Sequence, residues 1–252
     1  MPDFLPHAVS RLRADRLARS TKPFLARGGP HGARCAGCRL MPSHCICALR
    51  RTVPTHCGVC LLMADIEPLK PSNTGWLIAD VVADTAAFGW ARTVLDPALQ
   101  AMLADPQWQP YVVFPGEFVA AERVVTQLLP VEKNDTVSDQ ERKRPLFILL
   151  DATWPEARKI FKKSPYLAQF PVLSLAPEQL SRYRLRRSRR DDHLCTSEVA
   201  ALCLALAGET LAAQTLEAYL DVFTEHYLCA KQQLKLDWDD ELHQRLRDLR
   251  LP

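Results

Sequence analysis

No stretch of this chain approaches the roughly 18 consecutive apolar residues of a membrane-spanning helix, so a helical membrane protein is not expected. The first residues also lack the apolar segment of a secretory signal. That argues against an oxidising compartment with a disulfide framework and makes the cytoplasm the expected location. Charge of one sign is scarce as well, with 32 Lys and Arg against 29 Asp and Glu and a net charge of +3. So mild a balance excludes a chain that binds as a polycation along its whole length. What is present is the material of a globular protein: 252 residues, 48 % apolar and 24 % charged. That is enough for one large domain with a small appendage.

The basic charge is local. Residues 181–190 hold six arginines with Tyr183 among them, while 237–241 is acidic. A basic patch on a nearly neutral protein suits an anionic partner docking on one face. Arginine with an interleaved aromatic suits phosphate contacts and base stacking. A second basic stretch, 7–19, has helical character but poor apolar spacing. With the Gly/Pro/His residues after it, 1–33 reads as a flexible, loosely attached extension.

The nine cysteines are an odd number. Cys35, Cys38, Cys45 and Cys47 follow the pattern C-x2-C-x6-C-x-C, with Gly37 and Pro42 permitting tight turns. Four thiolates so close can surround one tetrahedral Zn²⁺, and with no ligand position left for water such a zinc is structural. His44 could replace one ligand, but the thiols suffice. Cys57 and Cys60 repeat the C-x2-C spacing but run into Val59, Leu61, Leu62 and Met63, which reads as a strand, so they are expected to be core thiols. Cys195, Cys203 and Cys229 are expected to be the same.

The chain is organised around 145–163, PLFILLDATWPEARKIFKK. Leu146 to Leu150 is too short for an ordinary helix and lacks polar alternation, as befits a strand buried on both faces of a parallel sheet. Asp151 ends it, and Pro155 opens a helical pattern that Thr153 or Asp151 could cap. A carboxylate is thereby placed at the carboxyl end of a strand, where open α/β sheets bind ligands. Trp154 beside it could stack a planar ligand. Upstream, a turn-rich loop containing Lys70, Ser72, Asn73 and Thr74 leads into a helix over 76–83. All three polar residues are good N-caps, and a helix N-terminus can also hold an anion. Further strands are expected at 111–115 and 172–175, with a helix over 119–129 and a polar surface loop over 132–144. Thr196 or Ser197 caps a buried helix that Gly208 ends, and a last amphipathic helix over 211–235 packs on the outside.

These motifs together resemble a family. Asp151-Ala152-Thr153-Trp154 matches the D-x-T-W signature of the DTW-domain proteins. The four-cysteine knuckle, the Lys70-Pro-Ser-Asn-Thr-Gly loop, the Phe114-Pro115-Gly116 turn, the Ser181-Arg-Tyr-Arg-Leu-Arg segment and the Thr196-Ser197-Glu198 helix start follow in the family's order over about 34–230. The long N-terminal extension is a departure. The resemblance implies an α/β, SPOUT-like, mostly parallel sheet flanked by helices, with a C-terminal trefoil knot and a small N-terminal zinc knuckle. The corresponding division is extension 1–33, knuckle 34–50, catalytic domain 51–235 and tail 236–252.

It also implies a reaction: transfer of the 3-amino-3-carboxypropyl group of S-adenosylmethionine to N3 of a tRNA uridine, releasing 5′-methylthioadenosine, with the variable loop the expected position. On that reading Asp151, Thr153 and Trp154 are catalytic, with Asp151 the base or an orienting group. Ser72, Asn73, Thr74, Phe114, Pro115, Leu149, Asp151, Thr196 and Ser197 hold the donor. Lys70, Arg182, Tyr183, Arg184, Arg186, Arg187 and Arg189 hold tRNA. Zn²⁺ sits on the four cysteines, and a monomer is expected. Two other readings stand beside it: an S-adenosylmethionine-dependent RNA methyltransferase using the same pocket, and a non-catalytic zinc-containing RNA-binding protein.

Overall fold

Six strands form one all-parallel sheet in the computed structural model, which describes residues 6–22, 24, 32–128, 143–176, 181, 183–185 and 194–249. In chain order they are β1 (Gly58–Met63), β2 (Thr85–Gly89), β3 (Trp108–Val113), β4 (Val124–Val125), β5 (Arg144–Asp151) and β6 (Val172–Leu173). They lie in the order β2-β1-β5-β3-β6-β4. Seven helices accompany them among the described residues: α1 (Ala8–Ala18), α2 (Gly75–Val81), α3 (Pro97–Ala104), α4 (Trp154–Lys163), α5 (Thr196–Leu206), α6 (Thr210–Gln232) and α7 (Glu241–Asp248).

The apolar run that ends in Asp151 is β5, an interior strand between β1 and β3. Leu146, Phe147, Ile148 and Leu149 are all buried, as a strand covered on both faces requires. Because side chains alternate along a strand, the sheet sorts its residues into two layers. Val59, Leu61, Met63, Tyr111, Phe147 and Leu149 pack with residues of α2, α5 and α6. Cys60, Leu62, Val112, Leu146 and Ile148 pack with Leu99 of α3 and Ile160 of α4. Asp151 continues the first series, two residues beyond Leu149, paired in register with Met63 of β1.

Local chemistry explains the helix ends near the site. The Thr153 N–H donates to Glu156 Oε2 at 3.0 Å, so Thr153, not Asp151, caps α4. At α5 the Cys195 N–H donates to Glu198 Oε2 at 2.7 Å. Gly208 has φ +80 between α5 and α6, a left-handed position that a side chain would strain, which lets α6 follow α5 closely.

Several expectations need correction. Residues 8–18 are not a loose arm. Val9 of α1 is fully buried, His7 meets the edge of the Trp76 ring at 4.6 Å, and Arg16 pairs with Asp65 at 2.7 Å. One buried valine with polar anchors docks a helix whose apolar spacing is poor. Residues 1–5, 23 and 25–31 of that segment, and 129–142 around the expected polar loop, lie outside the described residues.

The expected helix over 119–129 is instead two 3₁₀ turns, Gly116–Phe118 and Ala121–Arg123, followed by β4. Its β-branched Val124 and Val125 pair with β6 at the sheet edge. Half-exposed β2, and α3, capped by Asp96 through the Ala98 N–H at 2.8 Å, carry too little pattern to be read from sequence.

α6 does not pack on the outside. Leu216, Tyr219, Leu220, Val222, Phe223 and Tyr227 are buried in the core, and a further helix, α7, covers it. Arg245 of α7 reaches Asp221 and Glu217 of α6 at 3.1 and 3.3 Å.

Candidate active site

The site is built on Asp151. Its carboxylate is 2 % exposed, yet each oxygen has a donor. Thr196 Oγ1 donates to Oδ1 at 2.7 Å and Asn73 Nδ2 donates to Oδ2 at 2.6 Å. Burying a carboxylate is costly unless its oxygens are satisfied. The fold meets that need with one residue from the loop before α2 and one from the first turn of α5.

Of the three polar residues before α2, Thr74 holds the N-cap position without a side-chain cap bond, and Asn73 supplies that bond instead: its Oδ1 accepts the Trp76 N–H at 3.0 Å. That bond fixes the amide orientation and leaves the NH₂ for Asp151. Gly75 completes the approach. A Cβ there would lie 2.5 Å from Asp151 Oδ2, so only glycine admits the carboxylate against the start of α2.

Thr74 and Ser197 flank this pair. Thr74 is 4 % exposed and its Oγ1 accepts the Ser197 N–H at 3.4 Å. The Ser197 hydroxyl is buried without a hydrogen-bond partner among the described residues. It is thus a buried polar group left unsatisfied next to Thr74 and Thr196.

Other expected site residues are placed differently. Lys70 pairs with the fully buried Glu67, whose other oxygen lies 3.4 Å from Asn73 Nδ2, so its ammonium serves the loop. Tyr183 donates its hydroxyl to the Ser72 carbonyl and clasps the same loop. Arg184 pairs with Glu225 at 3.2 Å and stays largely exposed. Leu149 is a core side chain.

Phe114 and Trp154 belong to the opposite layer. Phe114 stacks on Phe161 with centroids 4.3 Å apart and on Trp154 at 5.5 Å. Trp154 therefore packs in the layer opposite the residues that hold Asp151. Pro115 is exposed just beyond the end of β3, and the Thr153 hydroxyl, also exposed, donates to Glu156. Arg182, Arg186, Arg187 and Arg189 lie outside the described residues.

The four-cysteine pattern forms a candidate metal centre. The Sγ atoms of Cys35, Cys38, Cys45 and Cys47 all lie within 4.8 Å of one another, the closest at 3.5 Å. Tetrahedral Zn–S bonds of about 2.3 Å require S···S separations of about 3.8 Å, so the cluster fits zinc. The Cys38 thiol is pulled down, first by its hydrogen bond with Cys47, while its neighbours Cys45 and Cys47 are pushed up. Cys57, Cys60 and Cys203 are buried, and burial pushes their thiols up, as core residues.

Sequence reasoning missed the link between knuckle and site. Arg39, with φ 65 and 3 % exposed, donates to the Lys70 carbonyl at 2.8 Å and the Asn73 carbonyl at 2.9 Å. Its guanidinium lies 4.2 Å from the Trp76 ring centre, and Trp76 Nε1 donates to the Gly37 carbonyl at 2.9 Å. The turn of the four-cysteine cluster thus grips both sides of the segment that presents Asn73. The one signal in the sequence is the position of Arg39, directly after Cys38 in the tight turn.

A second buried carboxylate lies behind the site. Asp80 of α2 accepts from Tyr219 OH at 3.2 Å and lies 3.4 Å from Arg50 Nη1 and 3.5 Å from His7 Nε2. Burial pushes Asp80 up to about 7 and pulls His7 down to about 3.

The family profile described as DTW domain matches residues 32–228. A protein of Drosophila melanogaster named tRNA-uridine aminocarboxypropyltransferase 2 is 37 % identical to this chain over 59 residues, which are 23 % of this chain and 24 % of that protein. The matched stretch thus spans about a quarter of that relative. No solved structure matches the chain.

Proposed function

From the premise that the chain belongs to the DTW-domain family, we propose that it transfers the 3-amino-3-carboxypropyl group of S-adenosylmethionine to N3 of a tRNA uridine. The observation that carries this reading is Asp151, buried at the end of an interior parallel strand with both oxygens held by Asn73 and Thr196. The matching stretch of a relative named tRNA-uridine aminocarboxypropyltransferase 2 supports aminocarboxypropyl transfer to a tRNA uridine.

When bound, S-adenosylmethionine supplies a sulfonium flanked by three electrophilic carbons, of which the one held in line with the nucleophile reacts. Asp151 accepts the N3 proton, or its hydrogen bond, as N3 forms its bond to that carbon. The carbon–sulfur bond breaks and 5′-methylthioadenosine leaves. Asn73 and Thr196 keep the carboxylate from rotating, and Gly75 gives it room. Thr74 and Ser197 face the donor's amino acid end, and backbone groups around Phe114 and Pro115 take its adenosine. Zn²⁺ on Cys35, Cys38, Cys45 and Cys47 is structural and holds the Arg39 turn. The proposal extends to a SPOUT-like knot in the C-terminal half, to a variable-loop uridine as target, to a monomer, and to tRNA contacts by Arg182, Arg184, Arg186, Arg187 and Arg189.

The test is incubation with unmodified tRNA and S-adenosylmethionine labelled in the methionine carboxyl, followed by nucleoside mass spectrometry. Label in a uridine heavier by the aminocarboxypropyl group is the expected result. An unlabelled methyl on RNA would mean methyl transfer instead, and no modification at all would leave a binding protein.

A further inference from the structure

The carboxyl rim of the sheet carries a second feature that the chemistry above does not use. Helix α4 starts three residues after Asp151 and has four cations among its ten residues: Arg158, Lys159, Lys162 and Lys163. At 3.6 residues per turn they fall within an arc of about 140° on one side of the helix. The three lysines are exposed and Arg158 is half-buried.

The only acid in α4, Glu156, is committed to the Thr153 cap. Among the described residues none of the four cations is paired with a carboxylate. Other described arginines differ, with Arg184 on Glu225, Arg245 on Glu217 and Asp221, and Arg247 near Asp239.

Aromatic rings accompany these charges. Arg158 sits 4.9 Å from the Phe118 ring centre and Lys159 sits 5.8 Å from that of Trp90. Phe118 is 37 % exposed and lies 5.5 Å from the half-buried Trp154. Trp90 donates its Nε1 to Ser164 Oγ at 2.9 Å, just past the end of α4. Trp90, Phe118 and Trp154 follow the ends of β2, β3 and β5, so all three rings lie along the rim at which Asp151 is presented.

We propose that this rim is a docking surface for the single-stranded RNA flanking the target nucleotide, a reading that rests on RNA being the substrate. Phosphates lie along Lys159, Lys162, Lys163 and Arg158, and unstacked bases lie on Phe118 and Trp154. Partly exposed rings beside cations suit splayed bases and a passing backbone, whereas an A-form duplex offers its phosphates but not its base faces. With a rise of 1.5 Å per residue, the cations begin about 6 Å and end about 14 Å along α4 from Trp154. An RNA strand that follows this rim toward Asp151 would run alongside them.

The test compares two full-length variants of equal charge. In one, Arg158, Lys159, Lys162 and Lys163 are changed to Gln. In the other, the exposed Arg11, Arg19, Lys231 and Lys235 are changed to Gln. Affinity for unmodified tRNA is measured by fluorescence anisotropy across a salt series, with S-adenosylmethionine binding by calorimetry as the check on the pocket.

The first variant is expected to lose affinity ~10- to 100-fold and to lower the salt slope by roughly 2 to 3, at ~0.7 per phosphate contact. Its donor binding should be unchanged, and the second variant should behave as the parent chain. Phe118→Ala alone should weaken tRNA binding several-fold with the salt slope intact. If the first variant binds like the parent, or both variants lose affinity equally, the docking surface is wrong even if transfer occurs. If the parent binds tRNA through α4 but transfers nothing to it, the docking surface stands and the proposed reaction falls.

Discussion

The two layers of this molecule handle charge in opposite ways. On the side of α2, α5 and α6, Asp151, Asn73 and Glu67 are at most 2 % exposed and are held by hydrogen bonds and an ion pair. On the side of α3 and α4, the cations stand in solvent or over aromatic rings, and the contacts are stacked faces such as Phe114 on Phe161. The D-x-T-W string crosses between the two. Asp151 ends the strand on the first layer, and three residues later Trp154 joins the second. One signature therefore joins two environments, a buried hydrogen-bonded carboxylate and a partly exposed aromatic face.

The comparison breaks most sharply at Asp151. Asp151→Asn keeps the volume but removes the charge, and transfer should fall by ~10²- to 10⁴-fold in single-turnover assays while the circular dichroism spectrum stays native. A loss of less than tenfold would make Asp151 a structural residue.

Gly75→Ala should act next, because its Cβ would lie 2.5 Å from Oδ2. Overpacking of that kind costs about 1–3 kcal/mol, read as a lowered urea midpoint, and activity should fall with it.

Arg39→Ala leaves the Lys70 and Asn73 carbonyls without their guanidinium. Unpaired buried groups cost about 1–3 kcal/mol, and kcat should fall more than KM for tRNA rises. Zinc content, measured by atomic absorption, should stay at one per chain, whereas chelating the metal should lower the melting temperature and reproduce the kcat defect.

A pH series sharpens the comparison further, because His7 and Asp80 oppose each other. Asp80, raised to about 7, binds more protons folded than unfolded, so its contribution to stability falls as pH rises from about 4 to 7. His7, lowered to about 3, binds fewer protons folded, so its contribution rises with pH between about 3 and 6.5. His7→Asn keeps an N-cap for α1 and removes only the second slope. Its stability relative to the parent chain should therefore decline as pH rises over that range, by at most ~1.4 kcal/mol per pH unit, in urea titrations at several pH values.

The smallest effect is expected from Trp154→Phe. It keeps a ring against Phe114 and should shift stability by less than ~1 kcal/mol and donor affinity, by calorimetry, by less than about threefold. A large loss of donor affinity would place Trp154 in the polar pocket and erase the distinction between the layers.

How much of this was legible in the sequence follows from the range of the interactions. The β5 run, the thiolate spacing and the cap-rich loop before α2 are patterns within a few residues, and they read correctly. Choosing Asn73 among three cap candidates was not possible, because the choice depends on an amide that can accept from Trp76 and donate to Asp151 at once. The direction of Trp154 was hidden for a similar reason. The strand alternation that governs Asp151 stops at the turn, and the ring follows the helix. Arg39 and Glu67 were missed because their roles are tertiary contacts with no local spacing to announce them.

The partners of Asp151 also set the order in which this protein can mature. Asn73 lies 78 residues before it and Thr196 lies 45 residues after it. As the chain emerges from a ribosome, the strand and the Asn73 loop are available long before α5. Until α5 arrives, the carboxylate lacks one of its donors. A nascent or truncated chain that stops short of α5 has all four knuckle cysteines yet lacks the Thr196 bond to Asp151. Closing contacts so distant in sequence is slow compared with forming the local turns. Recovery of activity after dilution from denaturant should therefore lag behind recovery of helix signal and metal uptake.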